Sequence, residues 1–340
     1  MVDINSSDPK PRIICMTPVR NESWILEKFL GAASLWADDI IVADQFSDDG
    51  SREIASKFPK VTLLENPSKE FNEPARQKLL IDAARKIEGP RLLIALDADE
   101  FLTANFHESK EWKFITRVPP GTVIRLKLIN LKPDLERYWS PRVYYARGFM
   151  DDGSDHVGTI IHSPRIPIPS DSMKIDLEEI KVLHYQYTDW ERMASKHRWY
   201  QCWELLNQPE RSAFEIYCQY HHMYEVKESN VLPVKDIWTR YYLERDIDIN
   251  NINKEGVYWW DREVLRYFKE YGTRKFKKLD IWDADWQRVV EHFKIEGVAP
   301  IVDPRSMLDR LIHAWLKSGK YKKPGLFNLI VRKVLRVLRW

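Results

Sequence analysis

Arg91-Leu-Leu-Ile-Ala-Leu-Asp97-Ala-Asp99-Glu100 is the stretch whose reading decides the fold. Five mostly apolar residues run straight into two acids at i and i+2, with a third beside them. The apolar run reads as a buried strand. Unpaired charge is costly in a core, so carboxylates at one strand end must face water, a cation or a ligand. A hard divalent cation bridging phosphate oxygens suits them, because Mg²⁺ typically takes one or two carboxylates plus substrate phosphates.

The flanks repeat this pattern. Residues 12–16 (RIICM) read as a strand and are followed by a polar turn, Thr17–Glu22. Residues 24–36 have helical apolar spacing. Asp39–Ala43 is the next strand and ends at Asp44. Residues 47–51 read as a turn and helix cap, 51–58 as a helix, 61–64 as a third strand and 73–87 as another helix. This β-α-β-α-β-α-β alternation predicts an α/β fold with a mostly parallel sheet. Such sheets bind ligands at the carboxyl ends of their strands. Thr17–Glu22, Asp44–Asp49 and Asp97–Glu100 all fall at those ends.

Beyond residue 120 the spacing predicts strands at 123–129, 142–145, 157–162 and 180–187, separated by longer loops. From Thr188 the pattern is helical, first over 189–206 and then through aromatic-rich helices to about 317. The expected organisation is 10–205 as one domain, with halves 10–120 and 121–205. A helical extension follows over 206–320, then a tail helix over 321–340.

Composition narrows the class. The chain has 340 residues, 44% hydrophobic and 31% charged, with net charge +2. That balance argues against a nucleic-acid partner. Three scattered cysteines, Cys15, Cys202 and Cys218, form neither a disulfide framework nor a metal knuckle and suit a reducing cytosol. No run reaches the roughly 18 apolar residues of a membrane span.

The first 200 residues resemble a family 2 glycosyltransferase with the GT-A fold. The resemblance rests on Thr17-Pro-Val-Arg-Asn-Glu22, Asp44-Gln-Phe-Ser-Asp-Asp-Gly-Ser51, Asn72-Glu-Pro-Ala-Arg-Gln77 and Asp97-Ala-Asp99-Glu100, in that order and spacing. It implies that Thr17, Pro18 and the backbone near Arg20–Glu22 line a nucleotide pocket. Asp44 would accept from a uracil- or thymine-like imide. Arg76 would lie near the base or diphosphate, as a planar fork suited to phosphate. Asp97 would meet the ribose or sugar. Asp99 would ligate Mn²⁺ or Mg²⁺, and His184 would complete the metal–diphosphate site. Lys196, in the following helix, would add positive charge to the leaving diphosphate. Ordinary structural roles compete: Asp44 and Ser47 as helix caps, Arg76 as a solvated helix residue and Glu22 as a cap.

Inverting transfer needs a carboxylate to take the acceptor's proton. Asp155 is the first choice, with Asp151 and Asp152 as alternatives, and a merely solvated acidic loop stands against all three. Relatives acting on lipopolysaccharide cores often carry His-Glu at the end of the following strand. This chain has His162-Ser163, so His162 is left as an acceptor contact. The Gln-x-x-Arg-Trp signature of processive synthases is absent, which favours transfer of a single sugar to a glycan or lipid-linked acceptor. A binding module without turnover and a nucleotidyltransferase are the competing readings. Against the latter, Thr17–Glu22 contains no glycine.

The tail carries seven Lys/Arg and no acid between Lys320 and Trp340. At 100° per residue, Phe327, Ile330, Val331, Val334, Leu335 and Leu338 share an arc of roughly 140°, with Arg332, Lys333, Arg336 and Arg339 opposite. A cationic amphipathic helix of this kind suits an anionic membrane surface. The expectation is a cytoplasmic protein held peripherally on the inner face of the plasma membrane.

Overall fold

The computed structural model describes residues 9–295, 300–338 and 340. In chain order the elements are β1 (Arg12–Val19), α1 (Leu26–Ser34), β2 (Asp39–Asp44), α2 (Ser51–Ser56), β3 (Val61–Glu65), α3 (Glu73–Ala84), β4 (Arg91–Ala95) and β5 (Glu100–Leu102). Then come α4 (Lys110–Ile115), β6 (Val123–Leu131), β7 (Arg137–Trp139), β8 (Tyr144–Met150), β9 (Lys174–Asp176), β10 (Val182–His184), α5 (Trp190–Asn207) and α6 (Ala213–Tyr220). The last are β11 (Leu232–Pro233), α7 (Arg240–Leu243), α8 (Trp259–Tyr271), α9 (Trp286–His292), α10 (Met307–Lys317) and α11 (Leu326–Val337).

The described strands form one eleven-stranded mixed sheet. β3, β2, β1 and β4 are parallel neighbours, and β8 continues the sheet antiparallel to β4. Period-2 alternation splits the core in two. Ile13, Cys15, Ile40, Val42, Leu92 and Ile94 pack with Leu26, Phe29 and Leu30 of α1. Ile14, Met16, Ile41, Ala43, Leu93 and Ala95 pack with Leu80, Ile81 and Ala84 of α3. Both faces are covered, so these strands read as continuous apolar runs.

Four features depart from expectation. β1 runs on through Thr17-Pro18-Val19 and pairs with β2 as far as Val19–Asp44. Pro18 is tolerated there because β4 stops pairing at Met16–Ala95, which makes this part of β1 an edge. β8 begins at Tyr144 and continues to Met150. Arg147 and Gly148 interrupt its apolar run, yet a Cβ on Gly148 would lie 3.0 Å from Ile124 Cβ, so the absent side chain admits β6. Residues 157–162 are not a strand: Val157 is 81% exposed and His162 has φ 58°, outside the extended range.

Fourth, the chain divides at Thr188/Asp189 and not near 205. The first compact unit is 1–188 with 229–254; the second is 189–228 with 255–340. Residues 229–254 return to the first unit because Tyr242, fully buried, donates to Leu102 O (2.8 Å), and Tyr185 donates to Ile249 O (3.0 Å). The second unit is helical. It contains α5, whose N-terminus is capped by the Asp189 carboxylate accepting from the N–H groups of Glu191 and Arg192.

Candidate active site

Within the first unit, the carboxyl ends of β1, β2 and β4 bring the polar clusters to one edge. The loops after β1 and β2 are laced together. Asn21 N–H donates to Ser47 Oγ (2.9 Å), Glu22 N–H to Ser51 Oγ (2.9 Å) and Ser23 N–H to Asp49 Oδ2 (2.8 Å). Asn21 and Asp48 exchange two further bonds, at 2.8 and 2.9 Å. Asn21 and Phe46 both have positive φ, 56° and 54°. Glu22 also accepts from Trp24 Nε1 (2.7 Å). These bonds fix the loop that carries Arg20 and Glu22.

Thr17 and Asp44 are fully buried on paired strands, Thr17 opposite Val42 and Asp44 two positions on, opposite Val19. Asp44 Oδ2 accepts from Arg52 Nη1 (3.1 Å) and Ser47 N–H (3.3 Å). Asp44 Oδ1 and Thr17 Oγ1 have no hydrogen-bond partner among the described residues. A buried acceptor left unpaired costs about 1–3 kcal/mol. At the ligand-binding edge of a parallel sheet, Asp44 Oδ1 can accept from a donor outside the chain, and the Thr17 hydroxyl can donate or accept.

Arg76 sits in the first turn of α3, which starts at the Asn72 cap with Pro74 behind it. Its guanidinium lies 5.8 Å from the Phe71 ring centroid and 3.9 Å from Glu73, and its Nε is buried without a partner. The next residue, Gln77, is fully buried with both amide atoms unpartnered. Nothing local in the sequence distinguishes Gln77 from an ordinary helix glutamine.

After β4 the three acids take different roles. Glu100 is buried and bound bidentately by Arg147, at 2.9 and 2.6 Å. Asp97 accepts from Arg165 Nη2 (2.7 Å), and the same guanidinium reaches Glu73 Oε2 through Nη1 (2.9 Å). Burial alone would lower the pKa of Arg165; the charges of Asp97, Glu73 and Glu100 more than reverse this. Asp99 is 3% exposed, and its backbone O accepts from Tyr185 N–H (2.8 Å). β10 pairs with β5 so that His184 stands opposite Glu100, and with β6 so that His184 stands beside Asn130. This sheet register brings His184 next to the Asp97–Glu100 turn. Its Nδ1 lies 2.8 Å from Asn130 Oδ1. That bond is made with Nδ1–H donating, which leaves the Nε2 lone pair for a ligand.

Among the described residues no group of three or more His, Cys, Asp or Glu side chains is placed to hold a metal. Asp99 and His184 supply one carboxylate and one imidazole. That donor set fits a cation that takes its other ligands from phosphate and water.

The acidic loop lies elsewhere. β8 runs antiparallel to β4, so Asp151 is bonded to Arg91 at the start of β4. At 3.3 Å per residue this is about 20 Å from the end that carries Asp97. Asp151 has a fully buried carboxylate held by Arg85 (2.8 Å) and Arg91 (3.1 Å). Burial would raise its pKa, but the bonds from Arg85, Gly153 N–H and Arg91 hold it below the usual carboxylate range. It is a structural anchor, not a base. Asp152 is exposed beside it. Asp155 is also exposed; its neighbour Ser154 accepts from Arg85 at the C-terminal end of α3, opposite the turn bearing Arg76. Of the expected bases, Asp151 and Asp152 thus lie at the opposite end of β4 from Asp97, and Asp155 stands in the exposed segment that leads from there to His156, whose Nε2 lies 2.9 Å from Pro164 O.

The chain then returns to the site edge. Ser163 N–H donates to Glu73 Oε2 (2.7 Å), which leaves His162 exposed just before it. Arg165 and Arg147 are the charged residues that sequence reasoning missed. Each is a lone charge within a largely apolar stretch, Arg165 in SPRIPIP and Arg147 in YARGFM, and that is the signal that marks them. Lys196 is carried by α5 of the second unit, with Nζ 5.9 Å from the Trp260 ring centroid. Its neighbour His197 is buried and pushed down to about 3, chiefly by burial, as befits a neutral core residue.

No family model matches this chain, and no curated protein does. Solved structures match parts of it. Glucosyl-3-phosphoglycerate synthase from Mycobacterium tuberculosis, solved with Mn²⁺, uridine diphosphate and phosphoglyceric acid, is 16% identical with a TM-score of 0.27. The match covers 35% of this chain and 43% of that one. Mannose-1-phosphate geranyltransferase from Thermus thermophilus matches at 18% identity and TM-score 0.28, covering 43% and 51%. 4-Diphosphocytidyl-2C-methyl-D-erythritol synthase matches at 17% and 0.22, covering 26% and 47%. This chain thus spans about half or less of the length of each. Likeness at this level carries no argument about activity, so the functional reading rests on the site itself.

Proposed function

We propose that this chain is a metal-dependent inverting glycosyltransferase of the family 2, GT-A type. It transfers one sugar from a UDP- or dTDP-linked donor to a glycan or lipid-linked acceptor in cell-envelope polysaccharide synthesis. The observation that carries the reading is the pair of buried polar atoms without partners, Thr17 Oγ1 and Asp44 Oδ1, at the same sheet edge as the turn bearing Asp99. An imide N–H of a uracil or thymine ring is the donor that Asp44 Oδ1 lacks. Arg76 serves the diphosphate, and Arg20 and Glu22 shape the pocket wall. Arg165 holds Asp97 in place for the ribose or sugar.

Asp99 and His184 Nε2 would hold Mn²⁺ or Mg²⁺ against the diphosphate, and the ion's charge would stabilise the leaving group. His162, exposed near the same edge, faces the acceptor. The C-terminal helix keeps the enzyme at the cytoplasmic face of an anionic membrane. Among the described residues no helix is long and apolar enough to cross one.

The test is a thermal-shift screen of UDP-, GDP- and dTDP-sugars with and without Mn²⁺, since a ligand specific to the folded state raises apparent stability by mass action. A UDP- or dTDP-sugar should stabilise the protein only with Mn²⁺, and Asp99→Ala should abolish that shift. Metal-dependent binding and transfer that survive in Asp99→Ala overturn the reading.

A further inference from the structure

The C-terminal helices leave a large apolar surface uncovered. In α11 only Leu335 is buried, and Val331 beside it is half-buried. These two turn inward, so the arc read from sequence is split. At 100° per residue, Leu338, Phe327, Val334, Ile330, Val337 and Leu326 then sweep an outward arc of about 120°. Their exposures run from 47% at Val334 to 74% at Leu326 and Val337. Exposed Lys333 borders this arc and exposed Arg336 lies about 80° beyond its Leu326 edge; Arg339 lies outside the described residues. α10 is divided the same way. Leu316 and Asp309 face inward, while Met307, Leu308 and Leu311 are 81%, 66% and 62% exposed. Each helix thus exposes a strip of large apolar side chains, and soluble monomers seldom expose large apolar patches without using them.

α11 is also held in this attitude. Trp340 is 5% exposed, and its Nε1–H donates to Asp309 Oδ1 (3.0 Å). Asp309 in turn closes the capping box of α10 with Ser306. The Trp340 N–H donates to Leu335 O (2.8 Å), and its carbonyl accepts from Phe214 N–H (2.7 Å) at the start of α6. Rolling the apolar arc inward would break this latch. Trp340 is thus an anchor inside the second unit, not part of the exposed face.

We propose that α10 and α11 form a latched docking surface for an anionic lipid bilayer. The apolar arc of α11 enters the headgroup–acyl boundary, and Lys320, Lys323, Lys333 and Arg336 meet the lipid phosphates. Charge decides between occupants. From Lys320 to Trp340 there are seven basic residues and no acid, so a second copy would bring like charge to like, whereas anionic lipid complements it. The proposal deepens the peripheral-membrane part of the function above and is independent of the transfer chemistry.

The test uses the full chain in co-sedimentation with phosphatidylcholine vesicles, with and without phosphatidylglycerol. Wild type should bind only the phosphatidylglycerol vesicles, and less so as salt rises. The double variant Phe327→Ser/Ile330→Ser changes exposed residues only, so it should keep its circular dichroism and lose binding by about tenfold or more. Lys333→Glu/Arg336→Glu should also lose it. Failure of wild type to bind, or equal binding by Phe327→Ser/Ile330→Ser, overturns the proposal. So does a wild-type dimer in sedimentation equilibrium that the double serine variant converts to monomer. Binding of UDP with Mn²⁺, measured on the same preparations, tests the donor site alone.

Discussion

Asp44 and Asp151 are buried carboxylates at opposite edges of one sheet, and the fold treats them differently. Asp151 has both oxygens occupied by Arg85, Arg91 and the Gly153 N–H. Asp44 has one oxygen bonded to Arg52 and Ser47 and the other left bare. A saturated carboxylate has nothing left to offer a ligand and acts as structure. An unsaturated one is costly unless something arrives to complete it. Glu100 belongs with Asp151 in this division, although its sequence neighbours are Asp97 and Asp99. Substitutions on the saturated side should therefore cost stability and spare binding, and those on the unsaturated side should do the reverse.

The largest effect is expected at the Glu100–Arg147 pair. Arg147→Met leaves a buried carboxylate without its partner, which typically costs about 3–5 kcal/mol. Urea denaturation should show it directly. A variant as stable as wild type would mean that Glu100 is protonated or solvated, and the division would fail at its strongest point. Next, Asp44→Asn should lower affinity for UDP in the presence of Mn²⁺ by about 10- to 100-fold, the worth of a charged hydrogen bond of roughly 1.5–3 kcal/mol. Calorimetry would report it, with stability nearly unchanged. Unaltered affinity would remove the base from this pocket.

Asp151→Asn should do the opposite, costing about 1–3 kcal/mol of stability while leaving UDP affinity alone. Its pH dependence follows from the depressed pKa. The ion-pair contribution is complete above the unfolded carboxyl value, near 3.9, and is lost as pH falls through the lower folded value. The stability gap between wild type and variant should thus be constant from neutral pH to about 5 and close in stronger acid. A gap that closes on the alkaline side instead would have the wrong sign for an arginine-held carboxylate.

The two edges were not equally legible in the sequence. The parallel half, β1 to β4, was readable because strands buried on both faces are unbroken apolar runs ending in polar turns. Runs like RIICM and RLLIAL also give strand direction, so Thr17, Asp44 and Asp99 fall together without any knowledge of the loops. The antiparallel half was readable only in part: β6 and β10 overlap the strands expected at 123–129 and 180–187, but strand direction and partners there do not show locally. β5, β7, β9 and β11 have only two or three residues each, and β5, β9 and β11 are held by partners far away in sequence. The reversed direction of β8 is what sends Asp151 to the far edge, and no local pattern in 142–162 reveals it. Arg165 reaches Asp97 across 68 positions, and Arg147 reaches Glu100 across 47. Such pairings are decided by the sheet, after it has formed.

The smallest effect tests the boundary between the two kinds of site. Asn130 is buried and contacts no proposed ligand, yet its amide oxygen lies against His184 Nδ1. By accepting that proton it fixes the tautomer that exposes Nε2. Partners of this type typically change metal affinity by about 10- to 100-fold. Since diphosphate and Asp99 share the load here, about tenfold is expected for Asn130→Ala, measured as Mn²⁺ affinity in saturating UDP. Asn130→Asp should restore it, because a carboxylate accepts the same proton more strongly. A purely structural role predicts a different ranking: both variants would lose stability, and neither would change metal affinity at matched folded fraction. Rescue by aspartate but not by alanine would assign Asn130 to the site, and would show that a saturated buried group can serve binding through the atom it orients.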